Sequence, residues 1–184
     1  MIDTDTKLQQ TGSQLAFREL FDQYHVKVLN TCFGLLHNRQ DAEDVAQEVF
    51  VTVYQSLPAF RNQSTVGTWI YRIAINKSLN LVRKKKRWKF FVDFEDFFRS
   101  KQNNIKAPGE NLVEHSEEKR LLHKAIDQLP EKQRIAFILF KYEELPQKQV
   151  AEIMNCSIAA VEALIFRAKQ NLQKSLHHYI KGEF

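Results

Sequence analysis

Residues Pro146 to Leu172 read PQKQVAEIMNCSIAAVEALIFRAKQNL, and their apolar spacing decides the fold of the C-terminal third. Val150, Met154, Cys156, Val161 and Leu164 stand where two helices lock across a short turn, with the small Ala151 where the helices cross closely. Asn155 occupies the turn, which asks for a left-handed backbone that Asn tolerates best after Gly. Ser157 follows as N-cap of the second helix. This is helix-turn-helix spacing, although any three-helix bundle imitates it. The second helix tips the reading toward DNA: Arg167, Lys169 and Lys174 accompany Ala159, Ala160 and Ala163, small residues that permit close approach to a groove.

Upstream, Leu121, Leu122, Ala125, Ile126 and Leu129 keep a helical period, interrupted at Pro130 and resumed through Ile135, Ile138 and Leu139. Pro130 suits a first-turn position. Between about Asp93 and Glu114 periodicity fades into acids, aromatics and a Pro-Gly turn, which marks a domain boundary. Before it, a long helix from about Val66 is apolar on two flanks: Ile70, Ile73, Ala74 and Leu81 on one, Tyr71, Ile75, Leu79 and Val82 on the other. At 100 degrees per residue Arg72, Asn76, Asn80 and Arg83 share the narrow polar stripe left over, an outward ladder of donors. The helix runs into RKKKRWK (Arg83–Lys89), which reads either as a solvated charged end or, with Trp88, Phe90 and Phe91 interleaved, as a nucleic-acid surface.

RNQST (Arg61–Thr65) lacks periodicity and reads as a loop. Ahead of it Ala42, Val45, Ala46, Val49, Phe50, Val53, Tyr54 and Leu57 form one apolar stripe, expected to be capped by Asp41 and ended by Pro58. A first helix is expected from an N-cap at Ser13, carrying Phe17, Leu20, Phe21, Tyr24, Val28, Cys32 and Leu35.

The 184 residues suffice for one large domain or two compact ones, and five glycines and four prolines leave few turns, hence long helices. The formal charge of +5 favours a polyanionic partner. Cys32 and Cys156 lie in separate apolar patterns and read as buried, reduced thiols, which points to the cytoplasm. No apolar leader or membrane-length run appears. The six histidines share no ligand spacing with the cysteines, and no phosphate loop or nucleophile motif occurs, so neither metal nor cofactor is expected. A nucleic-acid enzyme would need clustered carboxylates or a metal site, and the carboxylates here crowd one helix start.

Over nearly the whole chain, these segments resemble the extracytoplasmic-function (ECF, group IV) sigma factors of RNA polymerase. DAEDVAQEVFVTVYQSLPAFRNQSTVGTWIYRIAINKSLNLVRKKKR (Asp41–Arg87) is similar to the family's region 2, and AIDQLPEKQRIAFILFKYEELPQKQVAEIMNCSIAAVEALIFRAKQNLQK (Ala125–Lys174) to its region 4. The resemblance implies an all-α fold: a helical region 2 domain (about 10–92), a flexible linker (93–114) and a helix-turn-helix region 4 domain (115–184). It implies a non-enzymatic factor that binds core RNA polymerase and promoter DNA, and an anti-sigma factor as a further partner, without membrane insertion.

Residue by residue, Asp41, Glu43, Asp44, Gln47 and Glu48 match the segment that docks on the polymerase. An acidic helix start suits the macrodipole and repels DNA. Arg61, Asn62, Gln63, Ser64 and Thr65 match the loop that reads the minus-ten element. Asn76 and Asn80 match base-contacting positions, or else cap a neighbouring loop, with Arg72, Arg83 and Lys84 beside them and Trp69 able to stack or to serve as core. For the minus-thirty-five element the match covers Ser157, Ala160, Glu162, Ala163, Phe166, Arg167, Lys169 and Gln170. The sequence departs from the common small-Thr-Val-basic run here. Glu162, Phe166 and Gln170 share one face, on which Glu162 either accepts from cytosine N4 or merely complements nearby basic side chains.

Overall fold

In the computed structural model, residues 4–61, 63–99 and 117–180 are described, with side chains over 15–61, 63–88 and 117–177. They form helices α1 (Thr4–Leu36), α2 (Arg39–Ser56), α3 (Val66–Arg99), α4 (Glu117–Asp127), α5 (Glu131–Lys141), α6 (Gln147–Met154) and α7 (Ile158–Ile180). No strand occurs among the described residues, and the all-α expectation holds.

Several helix ends differ from the sequence reading. Helix α1 begins at Thr4, so Ser13 lies inside it; no proline interrupts the segment, and a lone Gly12 is tolerated. The cap of α2 is Asn38 rather than Asp41. Asn38 is extended (φ −132°, ψ 124°), and its side-chain oxygen accepts from the Asp41 amide at 3.0 Å. That leaves Asp41 in the first turn, where a carboxylate complements the helix dipole. Pro58 sits within a 3₁₀ turn, Leu57–Ala59, just after α2. Pro130 is the N-cap residue of α5, one place before the first turn. Helix α3 continues to Arg99, because nothing from Asp93 onward breaks a backbone already helical. The rest of the expected linker lies outside the described residues.

The two flanks of α3 close two cores. Ile70 and Ala74 join Val28, Cys32, Val45, Val49 and Val53 in the core of α1, α2 and α3. Tyr71, Ile75 and Leu79 instead join Ile126, Ile138, Leu139, Val150, Val161 and Ile165, and Leu35 of α1 does the same. Fully burying one such aliphatic side chain is worth about 1.5–3 kcal/mol, so the two halves are packed together by a continuous apolar seam. Gly34 makes the closest approach possible: a Cβ there would meet Ile138 Cγ2 at 3.0 Å.

Polar groups edge the seam. His37 stacks on His123 with ring centroids 4.1 Å apart, and its Nδ1 lies 3.3 Å from Asp127 Oδ1. Arg134, nearly fully buried, donates to the same carboxylate at 3.2 Å. Burial alone would raise the Asp127 pKa, but His37 and Arg134 outweigh it and hold it below the ordinary range. Tyr71 donates to Glu143 at 3.5 Å across the seam, and burial pushes the Glu143 carboxyl up from 4.5 to about 7 despite Tyr71 and Lys27.

The helix-turn-helix forms as its spacing implies. Val150 and Val161 are fully buried, and Asn155 is left-handed at φ 51°, ψ 53°. The Cys156 amide donates back to Ala151 O at 3.0 Å, which closes the turn. Ser157 Oγ accepts from the Ala160 amide at 3.1 Å. Cys156 itself is exposed, contrary to expectation, because Ile153 fills the buried position before the turn and Cys156 emerges on its outer side.

Two tests follow from this packing. Asn155→Gly should leave stability in urea unchanged or slightly higher, whereas Asn155→Val should cost about 1–2 kcal/mol, the penalty of a left-handed backbone. The second concerns pH. A carboxyl whose folded pKa is raised contributes stability in full below its unfolded value and loses it as pH rises through the folded value. Between about pH 5 and pH 8 the wild-type melting temperature should therefore fall relative to that of Glu143→Gln; parallel curves would contradict the burial of Glu143.

Candidate polymerase and nucleic-acid interfaces

Helix α2 buries Ala42, Val45, Ala46, Val49, Phe50 and Val53, and this fixes what its other face shows. Asp44, Gln47 and Glu48 are exposed there, with Asp41 and Glu43 half-buried. Arg39 donates to Glu43 at 2.8 Å, Lys77 to Glu48 at 3.4 Å, and Lys85 pairs with Asp41. Asp44 forms no ion pair among the described residues. Exposed pairs of this kind are worth about 0–1 kcal/mol each, so a stronger cation can displace them. Val51 and Tyr54, 56% and 48% exposed, continue the face in the C-terminal direction. Tyr54 thus lies outside the core that its place in the apolar stripe implies, and Val51 is an apolar residue out of step with that stripe, the one signal of this edge in the sequence.

The segment Arg61–Thr65 is a loop, with Arg61, Gln63 and Thr65 exposed and Ser64 partly so; Asn62 lies outside the described residues. Thr65 anchors it by capping α3: its Oγ1 accepts from the Thr68 amide at 3.2 Å and donates to Thr68 Oγ1 at 2.9 Å. Trp69, half-buried against the first core, packs its ring on Phe60 at 4.9 Å. The loop therefore stands on a rigid aromatic base.

The polar stripe of α3 is not the open ladder its spacing suggested. Asn76 and Asn80 are exposed. Arg72, by contrast, donates to the carbonyls of Glu152 (2.6 Å) and Ile153 (3.1 Å) at the end of α6. Arg83 donates to both carboxylate oxygens of Glu131 at 2.8 and 2.9 Å, and to Asn80 Oδ1 at 3.3 Å. Lys84 borders a groove with Asp41, Asp44, Glu48, Lys77 and Asn80, so the acidic face of α2 and the basic side of α3 adjoin. Beyond it Trp88 is 72% exposed beside Lys84, Lys85, Lys86 and Arg87, an arrangement suited to stacking and phosphate contact.

On α7 the expected face is present. Glu162, Phe166, Arg167, Lys169 and Gln170 are exposed, Phe166 by 61%, while Val161, Ile165 and Ala168 are buried. Lys169 also lies over the Phe140 ring, with Nζ 5.9 Å from its centroid. Ala160, Ala163 and Arg167 line a cleft of about 630 Å³ whose opposite wall carries Arg72, Asn76 and Arg83. Among the described residues no three His, Cys, Asp or Glu side chains converge on a possible metal position. No single described helix is long and apolar enough to cross a membrane.

Comparison with known proteins agrees with this geometry. Residues 20–88 match the model of Sigma-70 region 2, and residues 119–172 that of Sigma-70, region 4. The chain is 35% identical to the RNA polymerase sigma-H factor of Pseudomonas aeruginosa, over 94% of this chain and 92% of that one. It is 32% identical to the ECF RNA polymerase sigma factor SigW of Bacillus subtilis, over 96% and 97%. The Escherichia coli ECF sigma-E factor gives 31%, over 94% and 92%. Among solved structures, CnrH in complex with the cytosolic domain of CnrY superposes with a TM-score of 0.66 at 21% identity, covering 95% of this chain and 98% of that one. The sigma factor RpoE with the anti-sigma factor NepR from Bartonella quintana gives 0.62 at 20%, covering 88% and 97%; these two likenesses establish the fold. With both sigma regions in order on one all-helical chain, and relatives above 30% identity along nearly its full length, the chain belongs to the ECF RNA polymerase sigma factors.

Proposed function

We propose that this chain acts as a group IV sigma factor in the cytoplasm, a non-catalytic subunit that joins core RNA polymerase and directs it to promoters. The observation that carries this reading is the division of exposed charge. Helix α2 presents Asp44, Gln47 and Glu48, whereas the middle of α3 and the outer face of α7 present Arg83 to Arg87, Arg167 and Lys169. The first surface suits a basic protein partner and repels DNA; the second suits phosphates and base edges. No cofactor or metal enters this mechanism.

In this reading α2, from Asp41 through Glu48, docks on the polymerase, with Val51 and Tyr54 supplying apolar contact at its edge. The Arg61–Thr65 loop with Arg72, Asn76, Asn80, Arg83 and Lys84 takes the minus-ten strand. Asn side chains can pair with the Watson–Crick edges that strand opening exposes, while the cations hold phosphates. The exposed face of α7 takes the minus-thirty-five duplex, with Ser157 at the helix start and Ala160 and Ala163 permitting close approach. Two weak contacts on one tethered chain raise each other's effective concentration. By likeness to RpoE, named as bound to the anti-sigma factor NepR, an anti-sigma factor is the expected regulator.

Charge reversal tests the polymerase contact: Asp44→Lys with Glu48→Lys should weaken binding to core polymerase on the order of tenfold or more. Helical content should stay unchanged, because both side chains are exposed. Equal affinity would contradict it. On α7, Glu162→Ala should abolish preference at one position of the minus-thirty-five element, a loss of about 1–3 kcal/mol, if the carboxylate accepts from cytosine. An unchanged profile in promoter selection, with slightly tighter binding, would show that Glu162 reads no base.

A further inference from the structure

The cleft of about 630 Å³ between α3, α5 and α7 combines an aliphatic floor with a cationic rim, a pairing that promoter reading does not call for. Ile75 and Leu79 of α3 and Ile135 of α5 are buried at its floor, with Met154 and Leu164 half-buried beside them. Lys132 at the start of α5 and Arg167 on α7 are exposed on its walls, and neither forms an ion pair among the described residues. Arg72 and Arg83 add positive charge from α3, although their donors already hold Glu152, Ile153 and Glu131. Glu131 is the single carboxylate that lines the cleft, and Arg83 pairs with it.

We propose that this cleft binds a single-chain alkyl carboxylate, a free fatty acid of medium length, with its tail on the aliphatic floor and its head on Lys132 and Arg167. The volume lies within the range of small-molecule sites. The floor selects an alkyl chain over a nucleobase: no aromatic ring lines the cleft among the described residues, so a base finds nothing to stack on. The rim selects an anionic head, since two uncommitted cations give it charge-assisted hydrogen bonds. Because both cations are exposed, the head stays in contact with water and avoids the cost of a fully buried charge. The site needs nothing of the function proposed above.

Cys156 is a reporter in the wall of the cleft. It is exposed, whereas Cys32, the other cysteine of the chain, is buried, and burial pushes its thiol up to about 11. N-ethylmaleimide, a neutral reagent, therefore modifies Cys156 first, and its rate, read by mass spectrometry, reports occupancy of the cleft. Decanoate should slow the reaction about tenfold once about nine-tenths of the chains are occupied. Shorter chains should need more ligand, by about fourfold for each buried methylene removed, so hexanoate should protect far less. Decyltrimethylammonium, with the same tail and the opposite charge, should not protect. Lys132→Gln combined with Arg167→Gln should raise the half-protecting concentration of decanoate on the order of tenfold or more. Ala163→Phe, which fills the cleft from α7, should abolish protection. None of the three positions is buried, so circular dichroism should show unchanged helical content in these variants.

No protection by decanoate would overturn the site. Equal protection by decyltrimethylammonium, or an unchanged half-protecting concentration in the double variant, would do the same, since the tail alone would then be binding. Protection by a random-sequence single-stranded oligonucleotide with none by decanoate would give the cleft to nucleic acid instead. Faster modification with loss of helix would mark decanoate as a detergent and also overturn the proposal.

Discussion

Everything in this fold turns on α3 being buried along two flanks and polar along one stripe. A helix that served one core would present a broad polar face. Here Ile70 and Ala74 face α1 and α2, while Tyr71, Ile75 and Leu79 face α5, α6 and α7, so little more than the line of Arg72, Asn76, Asn80 and Arg83 remains for anything else. Only one helical register satisfies both cores at once. Rotating α3 to expose a different stripe would drag Tyr71 or Ile70, each at most 1% exposed, into water. The polar side chains are thus held in place by packing that has nothing to do with DNA, as preorganised recognition requires.

The same constraint explains the charge layout. Because α2 lies against α3, its acidic first turns stand beside the lysines of α3, and the pairs Lys77–Glu48 and Lys85–Asp41 satisfy that side locally. Asp44 stays outside the pairing and Gln47 beside it. A protein of net charge +5 can therefore meet a basic partner and a polyanion through neighbouring surfaces without neutralising either.

Much of this was legible in the residues. The three-and-four spacing of α3 divided Ile70 and Ala74 from Tyr71, Ile75 and Leu79 as the two cores divide them, and Asn155 with Ser157 marked the turn of the helix-turn-helix. Local signals were ambiguous where two residues suited one role: Asn38 and Asp41 are both good caps, and which takes the position depends on where the chain leaves α1. Burial of Arg134 and exposure of Cys156 reverse the usual preference of their residue types, since Arg134 is held by Asp127 and Cys156 lies past a left-handed turn. The seam was illegible for a different reason. Periodicity shows that Leu35 and Leu79 are buried; it carries no information about which part of the chain covers them, and contacts such as Arg72 to Glu152 join residues far apart in sequence.

The claim that joins the acidic face, the α3 stripe and the α7 face is that they act together only on polymerase. Run-off transcription with purified core RNA polymerase on genomic fragments tests it most directly. Initiation at discrete starts that share a minus-ten and a minus-thirty-five sequence, dependent on both the chain and the core enzyme, is the expected result. Sequence-specific binding to duplex DNA by the chain alone, with no initiation when core polymerase is added, would contradict it.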